Sequence, residues 1–168
     1  LFYLQRYATS TENLRRVLMP RVDRSARAHG TDREEGSYFV DQILKRYCNA
    51  KLLDDAAYAA ARAASMRQKG ASGRAIRSNL LAKGVKSETI NLVLNEQLKD
   101  SPATEFKAAF TYCRRRRLGP WRKVEREERR EKDIASLARQ GYSVDVALRV
   151  IDAVSIEELE TEMTSQPV

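Results

Sequence analysis

The chain has 168 residues with a formal net charge of +8, and 42% of them are hydrophobic, which allows a packed core and argues against global disorder. Two cysteines and one histidine are too few for a disulfide scaffold, a zinc site with four Cys and His ligands or a histidine-dependent hydrolase. We therefore expect no enzyme, no metal and no cofactor. Since no run of 18 apolar residues and no secretory signal pattern occurs, we expect a cytoplasmic protein.

The sparse glycines and prolines, seven and four in number, favour helices over strands. The first clear helix is predicted to begin at a capping box over residues 9–12 and to extend to about residue 28. A polar segment follows, in which Gly30 and Gly36 are predicted to interrupt helical structure. The next helix is predicted to carry an apolar stripe of Tyr38, Phe39, Ile43, Leu44 and Tyr47.

The adjacent carboxylates Asp54 and Asp55 allow two interpretations. A catalytic pair would need different environments and a nearby acid, base or metal, and the sequence offers none. Aspartate at a helix start accepts hydrogen bonds from free backbone amides and meets the positive end of the helix dipole. We therefore interpret both as the beginning of a helix that ends near Gly70. Tyr58, near its first turn, is expected to pack against the preceding leucines rather than to stack on a base.

Start and stop signals divide the rest of the chain into further helices. Ser72 is predicted to cap a helix that buries Ile76 and Leu80, and Gly84 is predicted to end it. The next predicted helices begin at Ser87 and at Ser101. The C-terminal part is predicted to hold a long charged helix over residues 121–140, ended by Gly141, and a short helix near residues 143–154. In the acidic tail 155–168, a capping-box spacing from Ser155 to Glu158 predicts a further short helix in front of a frayed end.

A weak internal repeat relates residues 80–94 to residues 137–151, with an offset of 57 residues. It matches Leu80 with Leu137 and Gly84 with Gly141. Units of this kind gain by stacking on their neighbours. The predicted fold is all-α, with three tandem three-helix repeats in an elongated, curved array. The predicted boundaries are residues 1–53, with a polar insertion at about 20–37, then 54–100 and 101–154, followed by the acidic tail 155–168.

Basic residues crowd the middle of the chain, where residues 56–87 contain no aspartate or glutamate. A solvated helix face is the ordinary explanation of such a run, and a binding surface is the alternative. Four successive arginines further on point all round a helix and cannot form one stripe. The candidates for contact with DNA or an acidic partner are Arg62, Arg67, Lys69, Arg74, Arg77, Lys83, Lys86, Arg114, Arg115, Arg116 and Arg117.

The run LLDDAAYA, then Arg67 to Gly70 and SGRAIRSNLLAKGV, resembles the central signature of the RecX family of bacterial regulators of the RecA recombinase. The later segments LARQGY and VALRVI are similar to the family's third unit. The signature positions are Asp54, Asp55, Tyr58, Gly70, Ile76, Leu80, Gly84, Leu137 and Gly141. One departure is the polar segment between Leu18 and Tyr38, which is longer than expected of the family's first unit.

The resemblance implies a non-enzymatic protein, expected as a monomer, that binds the RecA–DNA filament in its groove. It further implies inhibition of RecA ATPase, strand exchange and coprotease activity, and hence a role in homologous recombination, DNA repair and the SOS response. Its implied partners are the RecA filament and single-stranded or double-stranded DNA. Capping of filament ends and coating of the groove both fit the sequence. The alternative function is a basic helical nucleic-acid-binding protein without a recombinase partner.

Overall fold

All regular structure in the described part of the chain, residues 2–97 and 101–165 of a computed structural model, is helical, which confirms the all-α fold class. The predicted end of the middle repeat at 98–100 and the last tail residues 166–168 lie outside the described residues. The helices are α1 (Phe2–Arg6), α2 (Thr11–His29), α3 (Arg33–Asn49), α4 (Asp55–Gln68), α5 (Gly73–Ala82), α6 (Ser87–Leu92), α7 (Pro102–Arg116), α8 (Arg126–Arg139), α9 (Val144–Ile151) and α10 (Ile156–Ser165). A π-helical turn follows α6 at Val93–Gln97, and a 3₁₀ turn follows α7 at Gly119–Trp121.

The chain divides into two compact units. Unit 1 comprises Leu1–Ala61 and Leu80–Val93, and unit 2 comprises Arg62–Asn79 and Leu94–Val168. The division into three tandem repeats stays a prediction. The two cysteines are free and lie in helices, Cys48 in α3 and Cys113 in α7.

The start of α2 differs by one residue from the predicted capping box. Ser10, rather than Thr9, is the N-cap, and its Oγ accepts a hydrogen bond from the backbone amide of Asn13 at 3.2 Å. The hydroxyl of Thr9 instead accepts a hydrogen bond from Nδ2 of Asn13 at 2.8 Å. Serine and threonine both make good N-caps, so the sequence pattern located the helix end but not its exact residue.

The polar insertion forms a helical hairpin from α2 and α3. Gly30 ends α2 in the left-handed conformation, with φ of 65°, as a C-cap glycine does. The prediction that Gly36 interrupts the helix is wrong, because Gly36 lies inside α3. A Cβ at this position would lie 2.5 Å from Cγ1 of Val22, so the glycine allows the two helices to approach closely.

The predicted apolar stripe of α3 is mostly wrong. Leu44 is buried, together with Val40, whereas Tyr38, Phe39 and Ile43 are exposed. The buried face follows the spacing of Val40 and Leu44, four residues apart, and the aromatic pair lies outside it. One buried cluster of unit 1 consists of Leu14, Val40, Leu44 and Leu53, with partly buried neighbours that include Tyr47.

A buried cluster of unit 2 is formed mainly by α7, α8 and α9. Its buried residues include Phe106, Phe110, Cys113, Leu137 and Val150. The short helix predicted from the capping-box spacing at Ser155 is confirmed as α10, which buries Leu159 in the same core. The Ser155 hydroxyl accepts a hydrogen bond from the amide of Glu158 at 3.2 Å. A single apolar face is enough to pack an otherwise acidic surface helix against a core.

The long charged helix α8 begins at Arg126 and not at Trp121. Trp121 lies in the 3₁₀ turn and packs edge-on against Phe110, with the ring centroids 4.9 Å apart. The carboxylate of buried Asp133 holds this turn, because it accepts hydrogen bonds from the amide of Gly119 at 3.0 Å and from Arg122 at 2.7 Å. The tertiary contacts of the turn therefore displace the helix start that local sequence favours.

Candidate partner-binding surface

Asp54 and Asp55 are both engaged in holding the backbone. Oδ1 of Asp54 accepts hydrogen bonds from the amides of Ala56 and Ala57, each at 3.0 Å, and the bond from Ala57 is the main reason why the pKa of Asp54 is lowered. Oδ1 of Asp55 accepts hydrogen bonds from the amide and the hydroxyl of Thr11, at 2.7 and 3.0 Å. These contacts confirm that Asp54 marks the start of α4. They also show that Asp55, the first residue of α4, binds the first residue of α2.

No group of three or more His, Cys, Asp or Glu side chains among residues 2–97 and 101–165 is arranged to hold a metal ion. None of the described helices combines the length and the apolar character that a membrane span requires.

Two neighbouring clefts of unit 2 are lined by basic side chains. The first, of about 420 Å³, has Lys69, Arg115 and Arg116 in its lining. The second, of about 510 Å³, has Arg74 and Arg139, and both clefts share Met66 and Gln140. Neither cleft has an aspartate or glutamate among its described lining residues. We call the five basic residues of the two clefts, Lys69, Arg74, Arg115, Arg116 and Arg139, the basic surface.

The turn between α4 and α5 carries the first cleft and is fixed on several sides. The Tyr142 hydroxyl donates a hydrogen bond to the carbonyl of Gly70 at 2.9 Å, and a guanidinium nitrogen of Arg115 donates to the carbonyl of Lys69. Burial raises the pKa of Tyr142, so its hydroxyl stays a neutral donor. Gly70 has φ of 78°, and a Cβ there would lie 2.5 Å from the backbone nitrogen of Tyr112. The cations therefore sit on a closely packed scaffold.

The second cleft is fixed in the same way at the end of α8. Ser72, which is fully buried, donates a hydrogen bond from its hydroxyl to the carbonyl of Gln140 at 2.5 Å, while its Oγ accepts one from the amide of Ala75 at 3.0 Å. Ser72 thus caps α5 as predicted and also ties α5 to the C-terminal end of α8. The signature residues Ile76, Leu80 and Leu137 are fully buried, which explains their apolar character.

Several predicted binding residues are not among the lining residues of the two clefts. Arg67 forms an ion pair of 2.6 Å with Glu105, and only 14% of its side chain is exposed. Residues 56–87 contain no acidic residue, but the expectation that their cations are therefore not neutralised is wrong for Arg67. Arg62 donates a hydrogen bond to Asn79, and Arg77 is half-buried. Lys83 and Lys86 belong to unit 1.

The four consecutive arginines at the end of α7 are all exposed but differ in their surroundings. Arg115 and Arg116 line the first cleft, whereas the guanidinium of Arg114 lies 5.8 Å from the centre of the Phe110 ring. Arg117 is the left-handed C-cap of α7. As predicted from their consecutive positions, the four residues do not form one stripe on the helix.

Arg139 belongs to the basic surface but was not among the residues predicted from sequence. It lies in α8, where basic and acidic residues alternate, and such a helix is typically solvated and self-paired. The local feature that distinguishes Arg139 from the other basic residues of α8 is its position in the last helical turn, two residues before Gly141.

The described residues thus form an all-helical protein with two clefts whose described lining residues include five cations and no acidic side chain. The family described as RecX, second three-helix domain, matches residues 54–94, which hold α4, α5 and α6. The match begins at the residue predicted to open the middle repeat.

Three relatives, each named regulatory protein RecX, extend this match. That of Myxococcus xanthus strain DK1622 is 40% identical over 155 residues, which cover 91% of this chain and 82% of the relative. That of Agrobacterium fabrum strain C58 is 35% identical over 70% of this chain and 60% of the relative, and that of Thermobifida fusca strain YX is 33% identical over 86% and 76%. No solved structure matches the chain. The chain belongs to the RecX family of regulatory proteins.

Proposed function

We propose that the protein is a non-enzymatic regulator of the RecA recombinase that binds the RecA–DNA filament in its groove. In this proposal it inhibits the ATPase, strand-exchange and coprotease activities of RecA and acts in the cytoplasm. The observation that carries the proposal is the pair of neighbouring clefts that present five cations and, among their described lining residues, no acidic side chain. Membership of the RecX family supports the choice of RecA as the partner.

The basic surface suits an anionic filament for two physical reasons. Each cation that neutralises a phosphate releases condensed counterions, which favours binding at low salt. An arginine side chain can also donate two parallel hydrogen bonds to one phosphate or carboxylate, which fixes orientation as well as charge. The tight turn at Gly70 and the contacts of Ser72 fix the backbone that carries the cations before binding, which lowers the entropy cost of association.

The experiment that tests the proposal follows ATP hydrolysis by RecA on single-stranded DNA. Wild-type protein, added below the concentration of RecA, is expected to slow hydrolysis. The triple variant Arg74→Glu, Arg116→Glu, Arg139→Glu is expected to need at least about tenfold more protein for half inhibition, because it removes three cations of the basic surface and adds three anions. The control is a single charge reversal outside the clefts, Lys123→Glu, at an exposed basic residue of the same unit.

The same assay separates this function from the alternative. A general nucleic-acid-binding protein would bind bare single-stranded DNA in a salt-dependent manner and leave RecA hydrolysis unchanged when substoichiometric. That outcome would reject the proposed recombinase partner. Loss of inhibition in Lys123→Glu to the same degree as in the triple variant would reject the basic surface as the contact.

A further inference from the structure

The hairpin of α2 and α3 carries an open groove of about 440 Å³, which we call the hairpin groove. Arg21 and Val22 line it from α2, and Glu35, Phe39 and Ile43 line it from α3. Arg21 and Ile43 also line an adjoining depression that continues toward Tyr7. Seven of its ten described lining residues belong to the polar segment between Leu18 and Tyr38.

Large apolar side chains are left in solvent along this groove. Phe39 is 54% exposed and Ile43 is 38% exposed, although both lie on a helix whose neighbouring residues Val40 and Leu44 are buried. Adjacent exposed apolar residues that border a groove are typical of an interaction surface. The ion pairs of the hairpin, Arg15–Asp41 at 2.8 Å and Asp23–Arg33 at 2.7 Å, involve residues outside the groove lining.

The two walls of the hairpin groove carry opposite charges. The α2 wall presents the exposed Arg21, and the α3 wall presents the exposed Glu35. A two-fold axis parallel to the groove would place the α2 wall of one copy on the α3 wall of the other. In such a dimer every contact occurs twice, so a surface with a basic wall and an acidic wall complements itself.

We propose that the hairpin groove is a self-association surface, in which a second copy of this chain covers Phe39 and Ile43 and pairs Arg21 with Glu35 of the facing copy. The contact uses residues of unit 1 and none of the basic surface. It is therefore independent of the proposed RecA function. The experiments below also decide the sequence-based expectation of a monomer.

The first test measures the molecular mass of the full chain by sedimentation equilibrium from about 1 to 200 µM, a range in which a contact of modest size dissociates. The wild-type mass is expected to rise from that of a monomer to that of a dimer. A monomer throughout this range would overturn the proposal, as would higher oligomers without a dimer.

The charge pair gives a sharper test because its two members can be reversed separately. Arg21→Glu and Glu35→Arg each place like charges at both contacts, so each is expected to raise the dimer dissociation constant about tenfold. An equimolar mixture of the two variants restores opposite charges at both contacts and is expected to recover the wild-type affinity. A mixture that associates no better than either variant alone would overturn the two-fold arrangement.

The apolar contact is tested by a matched pair of variants on α3. Phe39→Ala is expected to weaken the dimer about tenfold or more, because Phe39 lines the groove. Tyr38→Ala removes an aromatic side chain that is 59% exposed but does not line the groove, and it is expected to associate as the wild type does. Equal effects of the two variants would overturn the proposal. Both residues are exposed, so far-ultraviolet circular dichroism is expected to show an unchanged helix content.

Discussion

Nη1 of Arg67 lies 2.6 Å from Oε1 of Glu105, and the same oxygen accepts a hydrogen bond from the amide of Gly73 at 2.7 Å. One carboxylate of α7 thus neutralises an arginine of α4 and holds the first residue of α5. Arg67 also donates a hydrogen bond to the carbonyl of Ala71 at 3.1 Å. This arrangement fixes the turn that carries the basic surface, so a residue predicted to bind the partner instead supports the residues proposed to do so.

Replacement of Glu105 by alanine is expected to lower the free energy of unfolding by about 3 kcal/mol, because it removes the neutralising carboxylate of a largely buried Arg67 and the acceptor of the Gly73 amide. The measurement is urea denaturation followed by circular dichroism. Asp41→Ala is the control, since it breaks an exposed ion pair with Arg15 and is expected to cost less than about 1 kcal/mol. Equal costs of the two substitutions would contradict the structural role of Glu105.

Two glycines with positive φ are expected to respond differently to alanine. Gly30 has φ of 65° and open space around a hypothetical Cβ, so Gly30→Ala is expected to cost only the backbone strain, about 1 kcal/mol. At Gly70 a Cβ would lie 2.5 Å from the backbone nitrogen of Tyr112. Gly70→Ala is therefore expected to cost at least about 2 kcal/mol more than Gly30→Ala, because backbone atoms must move. Thermal or urea unfolding of both variants measures the difference, and similar midpoints would contradict the close approach.

The two thiols are expected to differ in reactivity. Burial raises the pKa of Cys113 to about 12, so little thiolate forms near neutral pH and reagents cannot reach the sulfur. Cys48 is only partly buried. An aromatic disulfide reagent is expected to modify one thiol of the native protein rapidly and the second after unfolding in urea.

The variant Cys48→Ser assigns the reactive thiol. It is expected to show no rapid phase in the native state and one reactive thiol in urea. A rapid phase that persists in this variant would show that Cys113 is accessible, contrary to its position in the core of unit 2.

The ion pair of Asp152 and Arg130 is expected to make stability depend on acidic pH. Two contacts of 2.6 Å join the side chains, and the hydrogen bonds from Arg130 are the main reason why the pKa of Asp152 is lowered. Because the pKa is lower in the folded state, the unfolded chain takes up the proton first as the pH falls. The stabilisation is therefore complete above the unfolded pKa of aspartate, about 3.9, and is lost as the pH falls through the folded pKa.

The variant Asp152→Asn tests this dependence. It is expected to reduce the free energy of unfolding at neutral pH by less than about 1 kcal/mol, since the pair is partly exposed, and to flatten its decline between about pH 5 and pH 2. Arg130→Gln is expected to flatten the decline similarly, because it removes the partner that lowers the pKa. A slope as steep as that of the wild type in both variants would contradict the assignment.

Helix positions were predictable where the deciding contacts are local. Ser101 and Thr104 form a capping box within four residues of one another, and Gly30 ends its helix by its own conformation. Asp54 caps α4 through amides two and three residues ahead. Such interactions depend on the residue types at fixed spacing, and these are written in the sequence.

The predictions that were wrong depend on contacts between distant residues. Gly36 resembles a helix breaker until Val22 is placed against it, and α8 begins late because Asp133 holds the turn around Gly119. The aromatic residues Tyr38 and Phe39 suggest a buried stripe, but the choice of the buried face of α3 is made by the helices that pack on it. Helical periodicity identifies candidate buried faces of a helix, but it cannot determine which of two overlapping faces is buried.

The sequence by itself determined the all-α class, most helix ends, the excess of positive charge and the resemblance to the RecX family, since all of these follow from composition and local spacing. Only the tertiary structure decided which cations share a surface. It pairs Arg67 with Glu105, 38 residues away, and brings Arg139 of α8 into a cleft with Arg74 of α5. Charge neutralisation acts through space over a few ångströms, and the distance between two charges along the chain does not determine their distance in the fold.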